Sequence, residues 1–332
     1  MGFINVQRFR PYLDYVVFGL LLSTIPLLVQ FQVLRFAYMT FIAGVIIYAI
    51  VALGLNLLMG YAGLVSLGTA AFMGVGAYFA AFFTQDLGMG FMTSLLLTLV
   101  VTSILGIIVG LVSLRVEGFF LAMATLAIAE ILRQVFIEFM AFTNSFGGRT
   151  ANFPSFFGYT LNRDETFILL VAFLVIAMII THNFINSHTG RALSAMRGST
   201  AAASAMGINI FKYRLIAFAV STAYAGLGGV LYMHFIRFTF PNTWVFTMSL
   251  MLSATVVIGG VRSIAGTVIG SFIVFGVPNL ILANLPVIGD INGMSFVFTG
   301  VLIIVVVLYY PSGLVYIWHD VKKLARKWRG KK

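Results

Sequence analysis

The sequence predicts an all-α fold, a polytopic membrane helix bundle, on three observations. Only 9% of the 332 residues are charged and 61% are hydrophobic, where a soluble globule carries roughly 25% charged residues. Apolar runs near or above ~18–20 residues, enough to cross a hydrocarbon core of ~30 Å, recur along the whole chain. These runs are continuous rather than alternating. Backbone in lipid has to satisfy its own hydrogen bonds, so a continuous run reads as a helix and not as a barrel strand.

Taken in order, the elements are about ten transmembrane segments. The first, 15–34, follows Arg8 and Arg10 in "RFRPYLDYVVFGLLLSTIPLLVQ". It lacks a clear A-x-A cleavage site and reads as a retained span rather than a removed signal. The second (36–58) and fourth (92–113) are long apolar runs, and the third (69–84) is short and flanked by glycine. The fifth (119–139) carries Glu130 and Arg133. The sixth (166–184) and seventh (214–236) bracket a polar stretch, and the eighth (244–260) is again short and ends in Gly259 and Gly260. Spans at 264–284 and 294–312 complete the set.

With the N-terminus inside, fifteen of the 20 Lys and Arg residues fall in inside segments and four (Arg35, Arg149, Arg163 and Arg237) outside. The positive-inside rule then places both termini in the cytoplasm and favours an even number of spans. One transmembrane domain over 1–332 is expected, with a cytoplasmic segment at about 185–213 and a basic cytoplasmic tail at 317–332. In that tail Trp318, Val321, Leu324, Ala325 and Trp328 form one stripe. The stripe suits an interfacial helix on anionic membrane lipid; a solvated basic tail fits the same residues.

Composition also excludes function classes. The formal net charge of +11 does not indicate nucleic acid, because the basic residues sit in short loops and at the two ends rather than on one face. The sequence has no cysteine, hence no disulfide and no thiolate metal site. His182, His188, His234 and His319 share no metal-ligand spacing, so neither metal nor cofactor is expected. The P-loop pattern G-x-x-x-x-G-K-[ST] is absent, and no nucleophile, base and orienting group cluster, which argues against an enzyme.

Four stretches are candidates for function. "GLNLLMGYAGLVSLGTAAFMGVGAYFAA" (54–81) holds too many glycines for one regular helix, since each weakens a helix interior by ~1 kcal/mol relative to alanine. Asn56, Gly60, Tyr61, Gly63, Ser66 and Gly68 there could form a broken segment lining a translocation path or gate; close packing of small residues explains the glycines equally well. "GGVRSIAGTVIGSF" (259–272) echoes 60–74 in pairing glycines with a serine segment, which adds Gly259, Gly260 and Ser263 to the same candidate path. A true internal repeat and chance similarity both fit. Glu130 and Arg133, three apart in one span, form an intramembrane ion pair. It reads either as a gate contact or as a self-paired contact of the bundle.

In the stretch "GRALSAMRGSTAAASAMGINIFKYR" (190–214), Ser199 or Thr200 can cap a short helix, Ala201 to Met206 form it, and Gly207 can end it. Arg191, Arg197, Lys212 and Arg214 surround it. Such a helix can dock on a soluble partner or simply connect two spans. The fourth stretch is the external loop of about 140–165, with Arg149, Arg163, Asp164 and Glu165.

"GRALSAMR" with "AAASAMGINIFKYRLIAFAVSTAYAGLGGVLY", "ALGLNLLMGYAGLVSLGTAAFMGVGAY", "GFFLAMATLAIAEILR" and "VVIGGVRSIAGTVIGSF" occur in this order between about 45 and 280. Together they resemble the inner-membrane permease of branched-chain amino-acid ABC importers, the LivM type. The resemblance implies a multi-pass permease of a bacterial-type inner membrane. Its implied partners are a second permease subunit (a heterodimer), two cytoplasmic ATPase subunits and an external solute-binding protein. It further implies that the segment matching Gly190 to Asn209 is the coupling helix, with Arg191, Arg197, Ala202, Ala205, Gly207 and Asn209 at the ATPase contact. The chain has Gly198, Thr200 and Ser204 where the family often has acidic residues. Arg149, Arg163, Asp164 and Glu165 become candidates for docking the binding protein. A branched-chain amino acid is the implied solute; urea, amides or other amino acids are the alternative within the family. A stand-alone secondary transporter is the alternative outside it, with Glu130 as its one well-placed carboxylate.

Overall fold

The computed structural model describes residues 3–116, 118–156, 158–280, 293–310 and 313–314. The basic tail with its stripe, the end of the expected ninth span and the last two residues of the tenth lie outside the described residues.

The chain forms a helix bundle. Helices α1 (Phe3–Ser23) and α2 (Ile25–Gln30) make one rod broken at Thr24, where Pro26 supplies no N–H and crowds the preceding turn. Then come α3 (Phe36–Asn56), α4 (Thr69–Ala81), α5 (Phe91–Ser113), α6 (Phe119–Glu138), α7 (Met140–Thr143) and α8 (Arg163–Asn186). The short α9 (His188–Gly198) and α10 (Thr200–Ala205) precede α11 (Ile210–Ile236), followed by α12 (Phe246–Gly259), α13 (Ile264–Ser271), α14 (Val277–Leu280) and α15 (Met294–Tyr309). π-helical turns extend α3 over Leu57–Tyr61, α4 over Phe82–Asp86 and α13 over Phe272–Gly276.

Among the described residues, six rods are long and apolar enough to cross a membrane: Pro11–Gln30, Phe36–Tyr61, Phe91–Ser113, Phe119–Glu138, Arg163–Asn186 and Ile210–Ile236. Three further apolar helices, Phe246–Gly259, Ile264–Gly276 and Val297–Val306, are shorter. The expected third span is α4, of which 13 residues are α-helical. The third and eighth segments, expected to be short, are α4 and α12. The 14 residues of α12 rise ~21 Å, less than a ~30 Å core.

Burial identifies the centre. The most apolar window of α3 is 78% buried and that of α11 61%, whereas the other long rods reach at most 33%. Helices α3, α4 and α11 pack through glycine: a Cβ on Gly76 would meet the backbone of Gly226, one on Gly229 the backbone of Met73, and one on Gly54 the ring of Tyr224. Lipid tails are as apolar as leucine, so association depends on such close approach rather than on hydrophobic burial.

The bundle has two distinct ends. Helix α3 starts beside Arg163, whose guanidinium lies 4.3 Å over the Phe36 ring, and finishes beside Arg197. At the Arg163 end, β1 (Arg149–Thr150) pairs antiparallel with β4 (Phe238–Thr239), and β2 (Ser155–Phe156) with β3 (Tyr159–Thr160). At the Arg197 end lie α9, α10, the turn after α3 and the turn between α12 and α13.

Candidate coupling and gate site

The site is built around the last turns of α3. A helix end leaves backbone carbonyls without intrahelical partners, and here a side chain from another element takes them. Arg197, near the end of α9, donates to the carbonyl of Met59 at 2.7 Å and also to that of Gly60. Burial, and next the neighbouring Arg262, lower the pKa of Arg197 from its ordinary value. A guanidinium starts so far above neutrality that it stays charged.

Three residues before that end, Asn56 is buried to 1% exposure. Its Oδ1 accepts from the Arg262 N–H at 2.9 Å, and its Nδ2 donates to Thr267 Oγ1 at 2.8 Å and to the Ser263 carbonyl at 3.2 Å. The Tyr61 hydroxyl donates to the Arg262 carbonyl at 3.0 Å. The two stretches that echo each other in sequence are therefore in direct contact. Gly60 faces the Arg262 backbone, and Gly259 lies on the backbone of Gly266. The turn joining α12 to α13 is tight: Gly260 has φ +116° and Arg262 φ +71°. Left-handed backbone is routine for glycine but costs roughly 1–2 kcal/mol for other residues. The bond from Asn56 to the Arg262 amide helps to hold it. Ser263 then caps α13 by accepting from the Gly266 N–H at 3.0 Å.

After Tyr61 the chain does not re-enter a helix until Thr69. Gly63 turns at φ +69°, Ser66 is buried, and Gly68 packs on the Thr125 carbonyl. Hydroxyls from neighbouring helices hold one amide N–H of this break and one of the first turn of α4. Leu67 N–H donates to Thr125 Oγ1 on α6 at 3.0 Å, and Ala70 N–H to Ser249 Oγ on α12 at 3.0 Å. Such rescue is what permits irregular backbone inside a membrane bundle. Sequence reasoning missed Thr125, Ser249 and Thr267. The available signal was a hydroxyl within an apolar run, and many hydroxyls share it. A cavity of about 480 Å³ opens beside the break, lined by Met59, Gly63, Met196, Arg197, Thr200 and Arg214 among others.

The segment carrying Arg197 is a chain of capped helices. Ser187 Oγ accepts from Gly190 N–H to start α9, Ser199 Oγ from Ala202 N–H to start α10, and Asn209 Oδ1 from Lys212 N–H to start α11. Gly207, at φ +80°, ends α10. One side of α9 is buried through Ala192, Leu193 and Met196, and Ala203 anchors α10. Ala202, Ala205 and Met206 face outward, Met206 at 70% exposure. Arg191 turns back to cap α8, donating to the Asn186 carbonyl at 2.7 Å.

The remaining candidates lie elsewhere. Glu130 and Arg133 pair with each other on the outer face of α6, with Arg133 Nε 2.9 and 3.0 Å from the two carboxylate oxygens. At the opposite end of the bundle, Arg149 donates to the Phe142 carbonyl at 2.6 Å and pairs with Asp86. Arg163 donates to Thr40 Oγ1, and Asp164 accepts from Gln30 at 3.1 Å. Glu165 closes a capping box with Asn162. All four have partners within the chain.

Comparison with known proteins covers most of the chain. A family model described as branched-chain amino acid transport system / permease component matches residues 37–307. The chain is 30% identical over 296 residues to the high-affinity branched-chain amino acid transport system permease protein LivM of Salmonella typhimurium, covering 81% of this chain and 68% of that protein. It is 29% identical over 294 residues to LivM of Escherichia coli, covering 81% and 68% respectively. It is also 28% identical over 305 residues to a Methanocaldococcus jannaschii protein described as the transport permease LivH, covering 85% of this chain and 94% of that one. No solved structure matches it.

Proposed function

The chain belongs to the branched-chain amino acid transport permease family, and from that premise we propose that it is the membrane-spanning permease subunit of an ATP-driven importer. In this reading it pairs with a second, related permease chain. It receives solute from an external binding protein and is driven by two separate cytoplasmic ATPase subunits. It is a multi-pass membrane protein, which we place in a bacterial-type inner membrane as one transmembrane domain. Its ten helical segments cross or dip into the bilayer, and both termini are inside. The Arg197 end is then cytoplasmic and the Arg163 end external, in keeping with the distribution of basic residues.

The observation that carries the proposal is the double hydrogen bond from Arg197 to the end of α3. The exposed alanine and methionine surface of α10 is the docking face for an ATPase. Arg197, just before α10, is fixed to the carbonyls of Met59 and Gly60. Three to four residues earlier, Asn56 is fixed to the α12–α13 turn. A push on α9 and α10 therefore reaches both glycine-rich segments through a few charged and buried hydrogen bonds. Because α3 spans the bundle, the same push also reaches the external end. Arg191, Ala202, Ala205, Gly207 and Asn209 shape the docked segment. Asn56, Gly60, Tyr61, Gly63, Ser66, Gly68, Gly259, Gly260 and Ser263 form the internal gate. The binding protein would meet the external surface around 140–165, whose Arg149, Arg163, Asp164 and Glu165 brace the loop from within.

The relatives are transport permeases, and we assign transport without catalysis to this chain. The solute we propose is a branched-chain amino acid. The test is uptake into liposomes holding the complete complex, with leucine, isoleucine, valine, urea and short amides compared. ATP-dependent uptake of the aliphatic amino acids is expected. Uptake by this chain without ATP or partners would overturn the proposal.

A further inference from the structure

The outer face of α6 exposes Met123, Ile131 and Val135, like the apolar faces of α5 and α8, but beside them it carries a polar stripe that α5 and α8 lack. Helix α5 turns Leu96, Val100, Ile104 and Ile108 outward, and α8 turns out Ile168, Ile176 and Ile180; both are what hydrocarbon requires. Helix α6 seats Leu121, Thr125, Ala129 and Phe136 on the bundle. On its other side it exposes Ala127, Glu130, Gln134 and Glu138, spaced three or four apart and hence on one stripe. Glu130 stands about halfway along the rod with its side chain 55% exposed, although it pairs with Arg133. One turn further on, Gln134 donates to Glu138 at 2.8 Å. Even on the mildest scale a charge at the bilayer centre costs ~2.5–3.5 kcal/mol, and such residues face protein or a water-filled cavity rather than lipid. The internal pair lowers that cost without hiding the carboxylate or the amide.

We infer that this stripe of α6 is the contact face for a second permease chain of the same family, which covers Glu130 and Gln134 and offers them polar partners. The inference rests on the transport reading above for the identity of the occupant. The similarity of this chain to proteins named both LivM and LivH makes a related but different chain the natural candidate.

The absence of native cysteine makes the test clean. Gln134→Cys and, as a milder variant on the same stripe, Ala127→Cys would each carry a thiol-linked photo-crosslinker. Both would be assembled in membranes with the tagged second permease, the ATPases and the binding protein. Ile104→Cys and Ile176→Cys are the lipid-facing controls. The expected result is a product containing the second permease from positions 134 or 127, several-fold above either control. Equal yields from all four positions, or a product joining two copies of this chain, would overturn the inference. Uptake in the same membranes separates the two readings. ATP-dependent uptake without crosslinking at the stripe removes only this inference. Crosslinking to the second permease without ATP-dependent uptake removes the import reading and leaves the contact face standing.

Discussion

A buried amide has to find partners for one acceptor and two donors, and Asn56 finds all of them within 262–267. Replacing it by alanine strands the Arg262 amide in a turn that already holds a left-handed, non-glycine residue. Removing one partner of a buried hydrogen bond costs about 1–3 kcal/mol. Asn56→Ala should therefore lower the apparent melting temperature of the detergent-solubilised protein, and an unchanged value would contradict the bridging role. At this scale the sequence was partly legible. Asn56, Tyr61 and Ser66 stand out as polar groups in an apolar run. Thr125, Ser249 and Thr267 do not, because a threonine in a membrane helix usually bonds its own backbone, as Thr102 and Thr181 do here. Only the position of the broken neighbour distinguishes those that serve another segment. In sequence the charges of the 140–165 loop are candidates for docking a binding protein. In the structure Glu165 closes a capping box, Arg149 pairs with Asp86, Arg163 donates to Thr40 and Asp164 accepts from Gln30, which offsets the cost of charge close to a low-dielectric interior.

Helix α10 is the element most fully foreseen. Serine before an alanine run and glycine after it are local signals, and Ser199 and Gly207 perform those roles. Ala202 is exposed, so Ala202→Glu should leave insertion and melting unchanged while abolishing capture of the ATPase in a pull-down. Normal capture would refute docking at α10. Glycine in α4 tests the packing argument in the opposite direction. A Cβ at Gly76 meets rigid backbone, whereas one at Gly300 in α15 meets nothing within 4 Å. Overpacking costs roughly 1–3 kcal/mol, so Gly76→Ala should lower the melting temperature and the yield of folded protein, with Gly300→Ala close to wild type. Equal melting of the two would contradict close α4–α11 packing. The shortness of α4 and α12 was legible in their flanking glycines, but their shelter was not. Hydropathy registers apolar residues, and it does not reveal that a run is sheltered by longer rods and so need not span the bilayer alone.

For the molecule as a whole, central α3 links the Arg197 end of the bundle to the Arg163 end; in the proposed function the first is a cytoplasmic lever and the second an external surface, and the polar stripe on α6 is inferred to meet a partner. Family membership was legible because several glycine- and alanine-rich blocks recur in fixed order. The direct contact between the two echoing stretches required three dimensions. The most direct test of the account is the ratio of solute uptake to ATP hydrolysis in liposomes holding the complete complex with Arg197→Ala. Hydrogen bonds from a charged donor contribute about 1.5–3 kcal/mol, and 1.4 kcal/mol is a factor of ten. The account predicts normal ATPase assembly and continued hydrolysis, with uptake per ATP reduced about tenfold or more. An unchanged ratio would show that force does not pass from α9 and α10 to α3 through Arg197.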